Sequence, residues 1–445
     1  MITTLGTRLR AVRAGRTGAD TTGAPQDLRG GIFTALHNPD YRLFFGGAMV
    51  TNVGMWMQQV AQGWLVVSLT DSEFLVGLVA FCAMIPTLFL SLFGGVLADR
   101  LPKRRILLAS QMISMILIGS LATLISTGKI ELWHLMLISA GSGIVLALTA
   151  PSFQAIVPEI VGRPNLMNAI ALNSAQFNLT RIIGPTVGGL ILNFLGVAAA
   201  YYFNAASYLV FFLAMLAIRP KHGTVRKQSN PEGVFRSLGV ALRYVRSHAV
   251  IRPVLLLAMV QTLFLFPYGT LLPVFAKNVL GLEASGFSLL LVSAGVGALC
   301  ASLMLARRRD SVQTGVRWML RAQVGFALAA TVFASSRYLP LSMLALVFIG
   351  WSLVTFMATG NTVVQALVPD EIRGRVMSVW MLVGLGFIPL GSLQAGAVAV
   401  LVSPSFALIY GAAVTLILSA VILRRNRALL AAERNPFIVA PVLAR

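Results

Sequence analysis

From residue 43 to 423 the chain alternates long apolar runs with short charged breaks. The run from Phe74 to Ala98 carries no charge, and five charged residues then fall between Asp99 and Arg105. This alternation places candidate spans near 43–67, 74–98, 106–127, 132–157, 167–193 and 195–218, then, after a polar break, near 254–277, 285–306, 318–336, 340–366, 377–401 and 404–423. Crossing ~30 Å of hydrocarbon takes ~20 mostly apolar residues, which each run supplies. The pattern predicts an all-α membrane protein with twelve transmembrane helices in two six-helix bundles. It divides the chain into a disordered cytoplasmic N-tail (1–38), a first bundle (39–218), a cytoplasmic linker (219–250), a second bundle (251–424) and a cytoplasmic C-tail (425–445).

Composition sharpens this reading. The chain is 57% hydrophobic and 11% charged, where soluble domains carry about 25% charged residues. A net charge of +21 invites a nucleic-acid reading, but the basic residues lie in short clusters between apolar runs rather than on one face, so no nucleic-acid partner is expected. With the N-terminus inside, the inner breaks collect nearly all Lys and Arg, among them Arg100, Lys103, Arg104, Arg105, Arg163, Arg307 to Arg309, Arg373 and Arg375. The outer breaks hold only Lys129, Lys277 and Arg337. That asymmetry puts both termini in the cytoplasm, and it supports the span count, because one missed helix would invert everything after it. Cys82 and Cys300 both fall in apolar runs and form neither a disulfide framework nor a metal site.

A repeat relates the two bundles. Gln154-Ala155-Ile156-Val157-Pro158-Glu159, then Gly162-Arg163, precedes the fifth span; Gln365-Ala366-Leu367-Val368-Pro369-Asp370, then Gly374-Arg375, precedes the eleventh. Two halves of like topology are the parallel-repeat architecture of many secondary transporters, whose substrate site lies at the interface near mid-membrane.

With these features the chain resembles the major facilitator superfamily. Gly95, Leu97, Asp99, Arg100, Arg104 and Arg105 match that superfamily's loop between helices two and three, with Pro102 near where a glycine is usual. The strings Asn38–Phe44, Trp64–Ser72, Val157–Arg163 and Asn178–Pro185 are similar to the branch of enterobactin exporters and macrolide-efflux proteins, the transmembrane secretion effectors. The resemblance implies export driven by an ion gradient, protons in particular. It also implies a cytoplasmic gate of Gly95, Asp99, Arg100, Arg104, Arg105, Glu159 and Asp370, made when the protein faces outward and broken when it faces inward, with Asp99 at the N-terminus of the eleventh span. The plainer reading is that these charges only fix topology.

Arg181 is the one ionisable residue deep in a run, about fourteen residues or roughly 21 Å after Met167. A charge at that depth costs at least ~2.5–3.5 kcal/mol and usually faces a cavity or a partner. Either Arg181 attracts an anionic or electron-rich part of a substrate, or it is a structural Arg bound to backbone carbonyls and Asn178, one turn away. Amides and aromatics at helical spacing extend the candidate cavity to Asn52, Trp56, Gln59 and Gln62 in the first span. In the second bundle they add Gln261, Phe264 and Tyr268, and Trp380, Phe387 and Gln394. Gly184, Pro185, Gly188 and Gly189 resemble the end of an antiporter signature and predict a kink and a thin packing face.

No Asp or Glu lies mid-span, and the fourth span offers only His134, near its outer end; proton coupling therefore rests on the resemblance. The expected function is export of a bulky small molecule, a siderophore or lipophilic drug, across a bacterial cytoplasmic membrane. The alternatives are a lysophospholipid flippase and a membrane-embedded enzyme, for which no nucleophile–base or ligand cluster is found. The expected partners are the substrate, the proton gradient and the lipid bilayer. No cofactor is called for, and a monomer is expected.

Overall fold

A computed structural model describes residues 33–70, 72–218, 234–308 and 312–426. Most of both tails, residues 219–233 of the linker, Asp71, Arg309 and Asp310 lie outside the described residues, as does the Asp99 side chain. Among the described residues the structure is all-helical.

Helix α1 is Pro39–Leu69, α2 Glu73–Arg100 and α3 Lys103–Ser126. The 86 residues Leu132–Ala217 follow as a helical stretch broken at Gly162 (φ 71, ψ 173) and Gly196 (φ 81, ψ 176). These angles are open essentially to glycine alone, and each break turns the chain. The stretch is therefore three helices: α4 (132–161), α5 (163–195) and α6 (197–217). Helix α7, Val234–Ser247, occupies the stretch read from sequence as a polar linker. Then come α8 (Ile251–Val279), α9 (Ala284–Ala306), α10 (Val312–Ser335), α11 (Leu339–Leu367), α12 (Asp370–Leu401) and α13 (Pro404–Arg425). Both α8 and α12 contain a π-helical turn, at Phe275–Val279 and Leu382–Gly386.

Local chemistry fixes several ends. Asn38 caps α1 by accepting from the Asp40 and Tyr41 N–H groups at 3.0 and 3.3 Å, with Pro39 at the first helical position. Ser403 and Pro404 do the same for α13. Asn38 also donates to the Ile160 carbonyl at 2.9 Å, tying the start of α1 to the chain beside the Gly162 break.

Counting the long stretch once, nine helices among the described residues are long and apolar enough to cross a membrane. Their outward faces expose Ile116, Leu137, Phe194, Leu344, Phe348 and Ile417, a belt that suits lipid rather than water.

The helices pack as two groups, α1–α6 and α8–α13, with α7 on the second. At the end where the Arg100–Arg105 and Gly162 turns lie, here called the basic end, the apolar core is split. Tyr41, Phe44, Leu107, Ile156 and Phe211 form one cluster. Val254, Val316, Phe356, Val376 and Trp380 belong to another. At the opposite end a single cluster runs through both groups, including Val60, Leu121, Leu135 and Tyr201 with Leu271, Phe275, Phe287 and Phe333.

Candidate functional site

The two groups meet at the end away from the basic loops, and small residues let them do so. A Cβ on Gly77 of α2 would meet the Ser392 carbonyl at 2.6 Å and Gly396 at 3.2 Å. One on Gly396 of α12 would meet Glu73 and Gly77 at 2.9 and 3.1 Å. Gly63 faces Phe287, and Gly189 of α5 faces Ser288 of α9. Nearby, Lys277 donates to the Val67 carbonyl across the groups. Deeper, Gly295 of α9 lies against the Arg181 carbonyl and Ile182.

Arg181 therefore stands where the joined end gives way to the split end. Its guanidinium carbon is 5.7 Å from the centre of the Trp56 ring on α1, and its charge acts on the Tyr268 side chain on α8, from the other group. Trp56 packs on Phe177 with ring centres 5.6 Å apart, and its Nε1–H is buried with no partner. Gly184 makes this possible: a Cβ there would run into the Trp56 side chain. Toward the basic end lies a cavity of about 550 Å³ between α4 and α5, lined by Phe153, Gln154, Ile170, Asn173, Ser174 and Phe177 among others. Phe177 belongs both to this cavity and to the Trp56 stack, so the pocket reaches toward Arg181. A largely apolar pocket with a few amides, next to one cation, suits a bulky aromatic body carrying an anionic or electron-rich head.

Trp56, Arg181 and Tyr268 stand together and Asn178 lines the adjoining pocket, while other predicted residues lie elsewhere. Asn178 lines the pocket while its Nδ2 donates to the Ser174 carbonyl of its own helix at 2.9 Å. Gln62 donates to Ser139 on α4 at 3.1 Å, a seam within the first group. Gln59 is exposed and Asn52 half-buried. Phe264 meets Tyr410 of α13 edge-on at 6.3 Å. Gln261 is 0% exposed and neither amide atom has a partner. Trp380 belongs to the core of the second group, 4% exposed against Gly360 and Met319; its bulk fills the α11–α12 contact that Gly360 leaves open. Phe387 and Gln394 are half-buried on α12. Sequence reasoning missed Phe153, Gln154, Asn173, Ser174 and Phe177. The signal was there in part: 170, 173, 174, 177, 178 and 181 share one helical face, with polar residues at four of these positions.

Of the predicted gate residues, each pairing found stays inside one group. Lys103 pairs with Glu159 at 2.5 Å. Arg104 donates to the Met215 and Leu216 carbonyls at 2.9 and 2.7 Å, satisfying the last turn of α6. Asp370 pairs with Arg373 on α12. Arg100 and Arg105 are both exposed. A Cβ on Gly95 would meet nothing within 4 Å; the close approach belongs to Gly94, against Ala147 and Leu148 of α4. The backbone also stays helical from Gly184 to Gly189. Pro185 removes one hydrogen bond, but its fixed φ suits a helix, and the breaks fall at Gly162 and Gly196. Gly184 and Gly188 receive Trp56 and Met57 of α1 instead.

The comparisons with known proteins agree with this architecture. Residues 31–437 match the family described as transmembrane secretion effector. The staphyloferrin A transporter of Staphylococcus aureus is 27% identical over 79% of this chain and 87% of its own. The multidrug efflux pump Tap of Mycolicibacterium fortuitum is 26% identical over 80% and 88%. The enterobactin exporter EntS of Citrobacter koseri is 26% identical over 81% and 82%. Among solved structures, the nucleoside transporter NupG superposes with a TM-score of 0.68 at 15% identity, covering 89% of this chain and 99% of its own. A bacterial homologue of the lysosomal transporter Spinster does so with a TM-score of 0.62 at 15% identity, over 88% and 96%. The chain belongs to the transmembrane secretion effector family of the major facilitator superfamily.

Proposed function

We propose that this protein is a secondary active transporter that exports a bulky small molecule, a siderophore or a lipophilic drug, across the bacterial cytoplasmic membrane by alternating access. The observation that carries the reading is the placement of Arg181: a lone charge at mid-helix beside Trp56 and Tyr268, next to the α4–α5 pocket, where the two groups cease to be joined. Splitting the long stretch at its two glycines and adding α1 gives twelve spans, six per bundle. The positive-inside rule then sets both tails and the basic end in the cytoplasm. On that orientation the chain is open inward, ready to load, and a single copy encloses the whole path.

The Arg100–Arg105 turn, Glu159 and Asp370 form the gate that closes the basic end in the opposite state. An Asp99→Asn variant that transports as well as the parent removes this assignment. The names of the relatives support siderophores and drugs as the substrate classes. The test is uptake by everted vesicles of catechols, macrolides and lysolipids, with and without a proton gradient. Accumulation of a catechol or macrolide supports the reading; movement of lysolipid alone supports a flippase instead.

A further inference from the structure

Proton-driven export needs a group in the path that takes up and releases a proton. All fourteen acidic residues can be placed along the chain, and none lies inside an apolar run. Asp40, Glu73, Glu131 and Glu283 stand at helix starts and Asp99, Glu159, Asp370 and Glu371 at the basic end, and the rest fall outside the apolar runs in sequence. The histidines are no nearer: His37 precedes α1, His134 accepts from the Glu131 N–H in a helix cap, His222 falls in the central polar break of the sequence, and His248 lies at the α7–α8 junction. The path holds Arg181, and a guanidinium keeps its proton in proteins.

Among the described residues Arg181 also has no counter-charge. Its contacts are an indole and a phenol, and among the described residues no carboxylate pairs with it. An uncompensated charge at this depth is expensive. The buried Trp56 Nε1–H beside it has no acceptor. Both groups ask for the same thing, an anionic oxygen, and the aromatic wall formed by Phe153 and Phe177 accepts the body that bears it.

We infer that the cargo is an anion carried as an ion pair with Arg181, and that the membrane potential acting on this charge, rather than a proton held by the protein, drives export. This rests on the exporter reading above. The loaded site is neutral and the empty site carries one positive charge. Outward passage of the loaded form moves no net charge. Return of the empty form carries the positive charge inward, down an inside-negative potential. Each cycle expels one negative charge, and 100 mV supplies ~2.3 kcal/mol for it, about a 50-fold concentration ratio for a monovalent anion.

The test uses everted vesicles with the full chain and naphthalene-1-sulfonate, an aromatic anion that stays ionised and so cannot carry a proton. An inward potassium gradient with valinomycin makes the interior positive by about 100 mV at equal pH. Uptake is expected to approach about 50-fold, to collapse when the potential is clamped to zero, and to ignore a pH gradient applied alone. Arg181→Gln, checked for monodisperse elution, abolishes it, and Arg181→Lys restores dependence on potential. Uptake that follows the pH gradient and not the potential overturns the inference and leaves the exporter standing. So does efflux of a macrolide or ethidium without any movement of the sulfonate, or undiminished sulfonate uptake by Arg181→Gln. Failure of every probe sinks both readings.

Discussion

The guanidinium of Arg181 and the indole of Trp56 face each other at 5.7 Å although they come from the fifth and first helices of the first group. What allows the approach is the missing side chain of Gly184, one turn beyond Arg181. Trp56→Leu removes the ring face and the free N–H but keeps the charge. It is expected to weaken naphthalene-1-sulfonate binding about tenfold, the ~1.4 kcal/mol that a partly desolvated cation–π contact and one hydrogen bond represent. Equilibrium dialysis on purified protein measures this; unchanged affinity removes Trp56 from the site.

Gly77→Val and Gly396→Val each place a branched side chain on backbone across the seam. Overpacking of that kind costs about 1–3 kcal/mol, here charged only to the state in which the seam is closed. The population therefore moves toward the state open at the far end. In a Cys82→Ser, Cys300→Ser background, a cysteine at Asn178 should lose alkylation by an impermeant reagent from the basic side, by about fivefold or more. Equal labelling with and without the valine counts against the seam as a gate.

Gly162→Ala and Gly196→Ala force a Cβ into backbone angles reserved for glycine. Each is expected to destabilise the protein by about 1–3 kcal/mol, seen as a lower Tm in detergent. Gly119→Ala is the contrast: Gly119 is helical, and a Cβ there would meet nothing within 4 Å, so alanine should be neutral or raise Tm.

The Lys103–Glu159 pair is largely out of water, with side-chain exposures of 14% and 13%. Glu159→Gln should lower stability by roughly 1–3 kcal/mol, above the ~0.2–1 kcal/mol of an exposed pair. A Tm within error of the parent shows the pair to be ornamental.

His248 gives a pH dependence with a definite sign. Its Nδ1 accepts from the Val250 and Ile251 N–H groups at 3.2 Å, and burial pushes its pKa below the ordinary histidine value. Below about pH 6.5 the unfolded chain binds a proton that the folded chain refuses, so stability falls on acidification through that window until the folded-state pKa is reached. Tm measured from about pH 7.5 to 5.5 should show this slope, and His248→Asn should flatten it. A parallel pair of curves rules the residue out.

Most of the helices are legible in the sequence because a charge-free run of about 20 residues has few other fates, and Arg181 stands out because everything around it is apolar. Facing is harder. On a helix with lipid on one side and protein on the other, apolar residues point both ways, so nothing marks Trp380 as core or Gln62 as a seam residue. Helix α7 escapes a sequence reading although Leu238, Ala241 and Val245 recur at helical spacing, because its arginines make the stretch look like loop. The breaks at Gly162 and Gly196 sit among many other glycines, and only tertiary packing decides which of them turn.

Where Gly77 meets Gly396 there is neither an ion to strip of its hydration nor a long rotor to freeze. Contact there is mostly short-range dispersion, so its strength should be nearly indifferent to ionic strength, unlike the arginine-rich turns at the other end. A zip of bare backbone engages and releases readily, and the pace of each turnover is then left to the cargo.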